Sequence, residues 1–64
     1  MPYNEMLRKL RDDRSQSEIS NAIGITKSSW AMYERGERVP RDEVKIKIAN
    51  FFGMTVQEIF YGQQ

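Results

Sequence analysis

The chain has 64 residues, with ten basic and nine acidic side chains, a formal net charge of +1, and neither cysteine nor histidine. This length allows one small domain near the lower limit for a single hydrophobic core, and it excludes disulfides and thiolate or imidazole metal sites as its staples. No apolar run can span a membrane and no signal-peptide pattern opens the chain, so a cytoplasmic location without membrane contact is expected.

Residues 3–13 place Tyr3, Leu7 and Leu10 at spacings of four and three with Met6 beside them, which predicts a first helix with one apolar stripe. Pro2 suits its start. The adjacent Asp12 and Asp13 invite an acid–base or Mg²⁺ reading, but neighbours on a helix point about 100° apart and a lone acidic pair is ordinarily solvated. Ser15-Gln16-Ser17-Glu18 reads as a capping box opening a second helix that runs to about Ile23, with Ile19, Ala22 and Ile23 inward. Gly24 takes the left-handed position that ends such a helix, Ile25 plugs the turn, and Thr26 caps a third helix from Lys27 to about Arg35.

Gly36 and Pro40 bracket the stop after the third helix. A fourth helix is expected from Pro40 or Arg41, with Asp42 and Glu43 against its positive end. Val44, Ile48, Ala49, Phe51 and Phe52 form its inward side, and Ile46 falls off that stripe. Gly53 ends it. Thr55-Val56-Gln57-Glu58 is a second capping box, opening a short fifth helix with Val56, Ile59 and Phe60 inward, and Tyr61 to Gln64 reads as a frayed end. No stretch alternates like a half-buried strand, so the expectation is a single all-α domain of five short helices over residues 1–64.

Residues 16–35 organise the rest. Two short helix patterns meet at Gly24, and the small Ser20 follows Ile19 where the helices must cross closely. This is the helix-turn-helix pattern, and it points to a small DNA-binding module. Charge supports it weakly. Residues 1–26 balance, whereas Lys27, Arg35, Arg38, Arg41, Lys45 and Lys47 exceed Glu34, Glu37, Asp42 and Glu43 from the third helix onward.

In order and spacing, several segments together resemble the Cro/CI-type (Xre) helix-turn-helix regulators of bacteria and phages. They are Leu10-Arg11, Gln16-x-Glu18-Ile19, Gly24-Ile25-Thr26-x-Ser28, Tyr33-Glu34-Arg35-Gly36, Pro40, Ile48-Ala49, Phe52-Gly53-Met54-Thr55 and Glu58-Ile59-Phe60. Three departures stand out. The turn between the first two helices lacks the usual Gly-apolar pair, Ser20 replaces the usual alanine, and Trp30 stands where a smaller aliphatic is common. The resemblance implies a compact five-helix lambda-repressor-like fold, with the third helix in the major groove and the second across it.

In that geometry Trp30 and Tyr33 are taken by the core, leaving Lys27, Ser28, Ala31 and Met32 to face base edges. Lys27 can donate to guanine, Ser28 can donate or accept, and Ala31 or Met32 can touch a thymine methyl. The alternative for Lys27 is a charge that meets phosphate alone, and for Met32 an apolar contact to a partner protein. Gln16, Ser29, Arg35, Arg38 and Arg41 are the expected phosphate-backbone contacts, each alternatively a solvated polar side chain. The resemblance further implies an ion pair between Arg11 and Glu34 that joins the first and third helices. One such module reads little sequence, so a homodimer on a pseudo-palindromic double-stranded operator is expected. Phe51, Ile59, Phe60 and Tyr61 are the candidate dimer surface.

The leading expectation is a sequence-specific transcriptional regulator, most often a repressor, of phage, mobile-element or bacterial genes. The rival is an antitoxin or adaptor that uses the fold to hold a partner protein such as a toxin or antirepressor. An enzyme is disfavoured, since the chain has no histidine, cysteine, phosphate-binding glycine loop or carboxylate constellation; no catalytic residue, metal or cofactor is expected.

Overall fold

The computed structural model describes residues 1–62, and in them five helices follow one another with short connections: α1 (Tyr3–Arg11), α2 (Gln16–Ile23), α3 (Lys27–Glu34), α4 (Asp42–Phe52) and α5 (Val56–Phe60). No strand occurs among the described residues, and no helix is long and apolar enough to cross a membrane. The expected all-α, five-helix architecture is the one observed. Of the expected frayed end, Gln63 and Gln64 lie outside the described residues, while Tyr61 is tied down by the Lys45 ammonium, which donates to its hydroxyl at 2.5 Å.

Three of the five helices, α2, α3 and α5, owe their start to a capping side chain. Both capping boxes form: Ser15 accepts from the Glu18 amide and Glu18 reaches back to the Ser15 amide, and Thr55 and Glu58 repeat the exchange. Thr26 accepts from the Ser29 amide to start α3. Gly24 adopts φ 93°, ψ 33°, and lets the chain reverse between α2 and α3 within three residues.

The first connection differs from expectation. α1 stops at Arg11, and Asp12 takes φ 58°, ψ −127°, the first central position of a type II′ turn closed by the Arg14 amide on the Arg11 carbonyl at 3.2 Å. Asp12 and Asp13 therefore sit in a turn and not on a helix. The Arg14 guanidinium donates to the Leu10 carbonyl at 2.9 Å and the Arg11 carbonyl at 3.3 Å, so it caps the end of α1. An aspartate at a strained position and an arginine cap do here what a glycine turn does elsewhere.

The core joins Leu7 of α1, Ile19 and Ile23 of α2, Trp30 and Tyr33 of α3, Ile48 and Ala49 of α4, and Ile59 and Phe60 of α5. Ser20, 1 % exposed, lies at the α2 crossing and turns its hydroxyl onto the Ser17 carbonyl at 3.2 Å, so a polar side chain fits where alanine is usual. Two expectations about facing and one about a helix start fail. Ala22 is exposed. α4 begins at Asp42, after an extended Arg41, with Pro40 buried ahead of it. Phe51 is 39 % exposed, while Lys45 is buried in its stead. The Lys45 stem runs over the core and its ammonium lies 5.6 Å from the Phe60 ring centroid and 4.9 Å from that of Tyr61.

Candidate nucleic-acid interface

The end of α3 is anchored through one carboxylate. Glu34 is 3 % exposed, and its two oxygens receive four donors from three helices. Arg11 of α1 gives Nε at 2.5 Å and Nη2 at 3.0 Å, Gln16 of α2 gives Nε2 at 3.1 Å, and the indole N–H of Trp30 completes the set from one turn earlier on α3. The bidentate Arg11–Glu34 pair has the geometry implied by the family resemblance. Trp30 and Gln16 are additions that spacing alone does not reveal, although Trp30 and Glu34 stand four residues apart and so share a helix face.

Burial, the largest influence on this carboxyl, pushes its pKa up. The hydrogen bonds from Arg11, Gln16 and Trp30 and the positive charge of Arg11 together outweigh burial and hold it below the usual carboxylate range. The same pairing raises the Arg11 pKa. Arg8 adds a further tie, its guanidinium donating to the Glu34 backbone carbonyl at 2.7 Å, where a cation also meets the negative end of α3.

With its rear so fixed, α3 presents Lys27 and Ser28 exposed at its start, whereas Ala31 and Met32 are half-buried. The four expected base-reading positions thus share the outward side, with the polar pair foremost. Ser29 is half-buried, its hydroxyl accepting from Thr26 at 2.9 Å, so it belongs to the cap of α3 and has less freedom toward phosphate. Gln16 is likewise half-buried and commits one amide N–H to Glu34. What it retains for a phosphate is its second side-chain N–H and the backbone amides at the start of α2.

The arginines after α3 divide. Arg35 is engaged bidentately by Glu37 at 2.8 and 3.1 Å, and this exposed pair lowers the pKa of Glu37 through the hydrogen bond from Arg35. A phosphate reaching Arg35 must displace that carboxylate. Arg38 and Arg41 are exposed and unpaired among the described residues, and both line an open hollow of about 270 Å³ together with Thr26, Ser29, Tyr33 and Val44. Lys27, Ser28, Arg38 and Arg41 are exposed and without a side-chain partner among the described residues around the start of α3 and the loop after it, and the exposed Glu43 lines the same hollow as the two arginines.

The candidate dimer surface needs correction. Ile59 and Phe60 are 1 % and 5 % exposed, spent on the core of the single chain, because α5 is too short to cover α4 without both. Phe51 and Tyr61, 39 % and 42 % exposed, remain at the surface. Phe51 lies edge-on to Phe52, and Arg14 stands over both rings at 5.8 and 5.7 Å.

A helix-turn-helix family model matches residues 7–59. Over 59 residues the chain is 34 % identical to the cryptic phage CTXphi transcriptional repressor RstR of Vibrio cholerae, an alignment covering 89 % of this chain and 53 % of that protein. Over 47 residues it is 30 % identical to the uncharacterized HTH-type transcriptional regulator YgzD of Bacillus subtilis (strain 168), covering 73 % of this chain and 71 % of that one. The chain thus spans about half the length of the first of these relatives. No solved structure gives a significant match. The match across all five helices, with the helix pair, its Gly24 turn and the Arg11–Glu34 pair in place, means that the chain belongs to the Cro/CI-type helix-turn-helix family of DNA-binding transcriptional regulators.

Proposed function

We propose that the chain is a sequence-specific DNA-binding regulator that represses phage, mobile-element or bacterial genes, with α3 in the major groove and α2 across it. The observation that carries this reading is the pairing of a rigid rear with a free front. Glu34 ties α3 to α1 and α2, while Lys27 and Ser28 at the other end are exposed beside two unpaired arginines. In this role Lys27 donates to guanine O6 or N7, Ser28 bonds a base edge, and Ala31 and Met32 lie against thymine methyls. Arg38 and Arg41 meet phosphates, joined by Gln16 and the amides at the start of α2. Two copies bind half-sites about one DNA turn apart as a homodimer, through a surface that includes Phe51 and Tyr61.

Selection from random double-stranded DNA with the purified protein tests this directly, since it returns half-site sequence and spacing together. On the selected site, Lys27→Ala is expected to relax preference at one base position at a cost of about 1–3 kcal/mol. Arg38→Ala is expected to weaken selected and random DNA alike. Identical behaviour of the two variants removes Lys27 from base reading, and failure to enrich any sequence removes specific recognition altogether.

Glu37 supplies a separate expectation. Because it competes with phosphate for Arg35, Glu37→Gln should tighten binding to random DNA several-fold at low salt and steepen the slope of log K against log salt by up to about 0.9, one extra phosphate contact. Fluorescence anisotropy at several NaCl concentrations measures both. Unchanged affinity and slope would mean that Arg35 lies away from the backbone.

A further inference from the structure

The loop that bears Arg38 is held from behind by the first turn of α1. α3 closes with the Gly36 amide on the Tyr33 carbonyl at 3.1 Å and the Glu37 amide on the Met32 carbonyl at 3.0 Å, a Schellman arrangement made possible by φ +73° at Gly36. Beyond Glu37 this ladder stops. Among the described residues a single hydrogen bond reaches residues 38–40: the Tyr3 hydroxyl donates to the Arg38 carbonyl at 2.9 Å.

The rest of α1 is aligned to make that bond. The Tyr3 ring is half-buried with its centroid 5.9 Å from that of Phe60, so α5 braces it. Asn4 lies against Gly36, whose added Cβ would stand 3.5 Å from the Asn4 side-chain nitrogen. Arg8, five positions after Tyr3, fastens the Glu34 carbonyl just before the loop. An exposed hydrogen bond adds little to global stability. On a segment with no other hydrogen bond its effect falls on local order instead.

We propose that Tyr3 is a positioning residue of the DNA interface: its hydroxyl holds residues 38–40 so that Arg38 is presented to a phosphate in one place. The inference rests on the phosphate role given to Arg38 above. Tyr3 itself touches no DNA in this role. It lowers the entropy lost when the loop is ordered on binding.

Tyr3→Phe isolates the hydroxyl, since the ring stays packed on Phe60. Two measurements on the full chain test it. In the free protein, ¹⁵N relaxation of wild type should give rigid backbone order parameters near about 0.85 at Arg38 and Val39, falling toward about 0.6 in Tyr3→Phe with a thermal midpoint near wild type. With random-sequence 20-bp duplex DNA as the probe (roughly two half-sites long), Arg38→Ala should flatten the salt slope by about 0.9. Tyr3→Phe should weaken binding several-fold in the wild-type background and change nothing further in the Arg38→Ala background. Unaltered order parameters at Arg38 and Val39 in Tyr3→Phe overturn the positioning role whatever the DNA result, as do additive effects of the two substitutions. A wild-type salt slope in Arg38→Ala, with the loop loosened by Tyr3→Phe, overturns instead the phosphate contact on which the role in binding depends.

Discussion

Replacing Arg11 with methionine is expected to destabilise the domain by about 3–5 kcal/mol, as measured by urea denaturation followed by circular dichroism. The methionine keeps most of the aliphatic stem, so the loss comes from the guanidinium: its charge beside Glu34 and its hydrogen bond to the Arg14 carbonyl at 3.0 Å. It leaves Glu34, with its side chain 4 % exposed, holding a carboxylate against two neutral donors, Gln16 and Trp30. A 64-residue domain at about 0.05–0.15 kcal/mol per residue holds only about 3–10 kcal/mol in all. The variant should therefore be marginal at room temperature. Glu34→Gln should cost less, because the group it leaves unpaired is the Arg11 guanidinium, whose side chain is 22 % exposed and can recover water. If the two costs came out in the reverse order, the burial penalty would lie with the arginine and the account of this pair would be wrong.

The same pair sets an acid response. In the wild type the Glu34 carboxyl is held below its ordinary pKa of 4.5, so the stabilisation is fully present above that value and is lost as pH falls through the lower, folded-state one. In Arg11→Met the sign should reverse. Burial then acts against two neutral donors only and pushes the carboxyl up, so protonation favours the folded form and the variant gains relative stability as pH falls. The free-energy gap between wild type and variant should accordingly narrow from about pH 7 to about pH 4. A gap that stays constant would show that Glu34 titrates alike in both.

Most of the fold was legible because local rules agree with one another. The two capping boxes, Gly24, Thr26 and the stop around Gly36 and Pro40 locate helix ends without any tertiary information. The errors come where a long side chain or a neighbour overrides the local pattern. Lys45 is buried because its stem packs while its ammonium finds Tyr61, and no periodicity argument places a lysine inward. α1 ends early because Asp12 adopts a positive φ and Arg14 turns back to cap it, a turn chemistry that the helix stripe over residues 3–13 conceals.

The site divides in the same way. Lys27, Ser28, Arg38 and Arg41 could be placed by helix geometry and chain order because they face outward. Which groups are already engaged could not. Gln16 on Glu34, Arg35 on Glu37 and the Tyr3 hydroxyl on the Arg38 carbonyl are pairings across or beside turns, at separations of 18, 2 and 35 residues. Aromatic excess near the C-terminus likewise overstated the free surface, since a five-residue α5 must spend Ile59 and Phe60 on the core. In a domain this small, few side chains can serve both the core and a partner.

Trp30→Ala is the other substitution expected to approach the limit of stability, at about 3–5 kcal/mol. Trp30 is fully buried and among the largest side chains in the core, and α3 is fastened by that core on one side and by Glu34 on the other. Trp30→Phe separates the two contributions, for it retains most of the ring but withdraws the indole N–H from Glu34. Its cost should be about 1–3 kcal/mol, the penalty of one unmet buried acceptor site, softened by the Arg11 and Gln16 donors that remain. Trp30 is also the only tryptophan in the chain, so its fluorescence reports on itself. A core residue behind the recognition surface should keep a blue-shifted emission that added DNA changes little, whereas a ring stacked on bases would be strongly quenched. Quenching on DNA addition, combined with a loss below about 1 kcal/mol in Trp30→Ala, would move this residue from the core to the interface. The opposite pair of results would mean that the bulky residue standing where a smaller aliphatic is usual acts on DNA only by setting the pitch and firmness of α3.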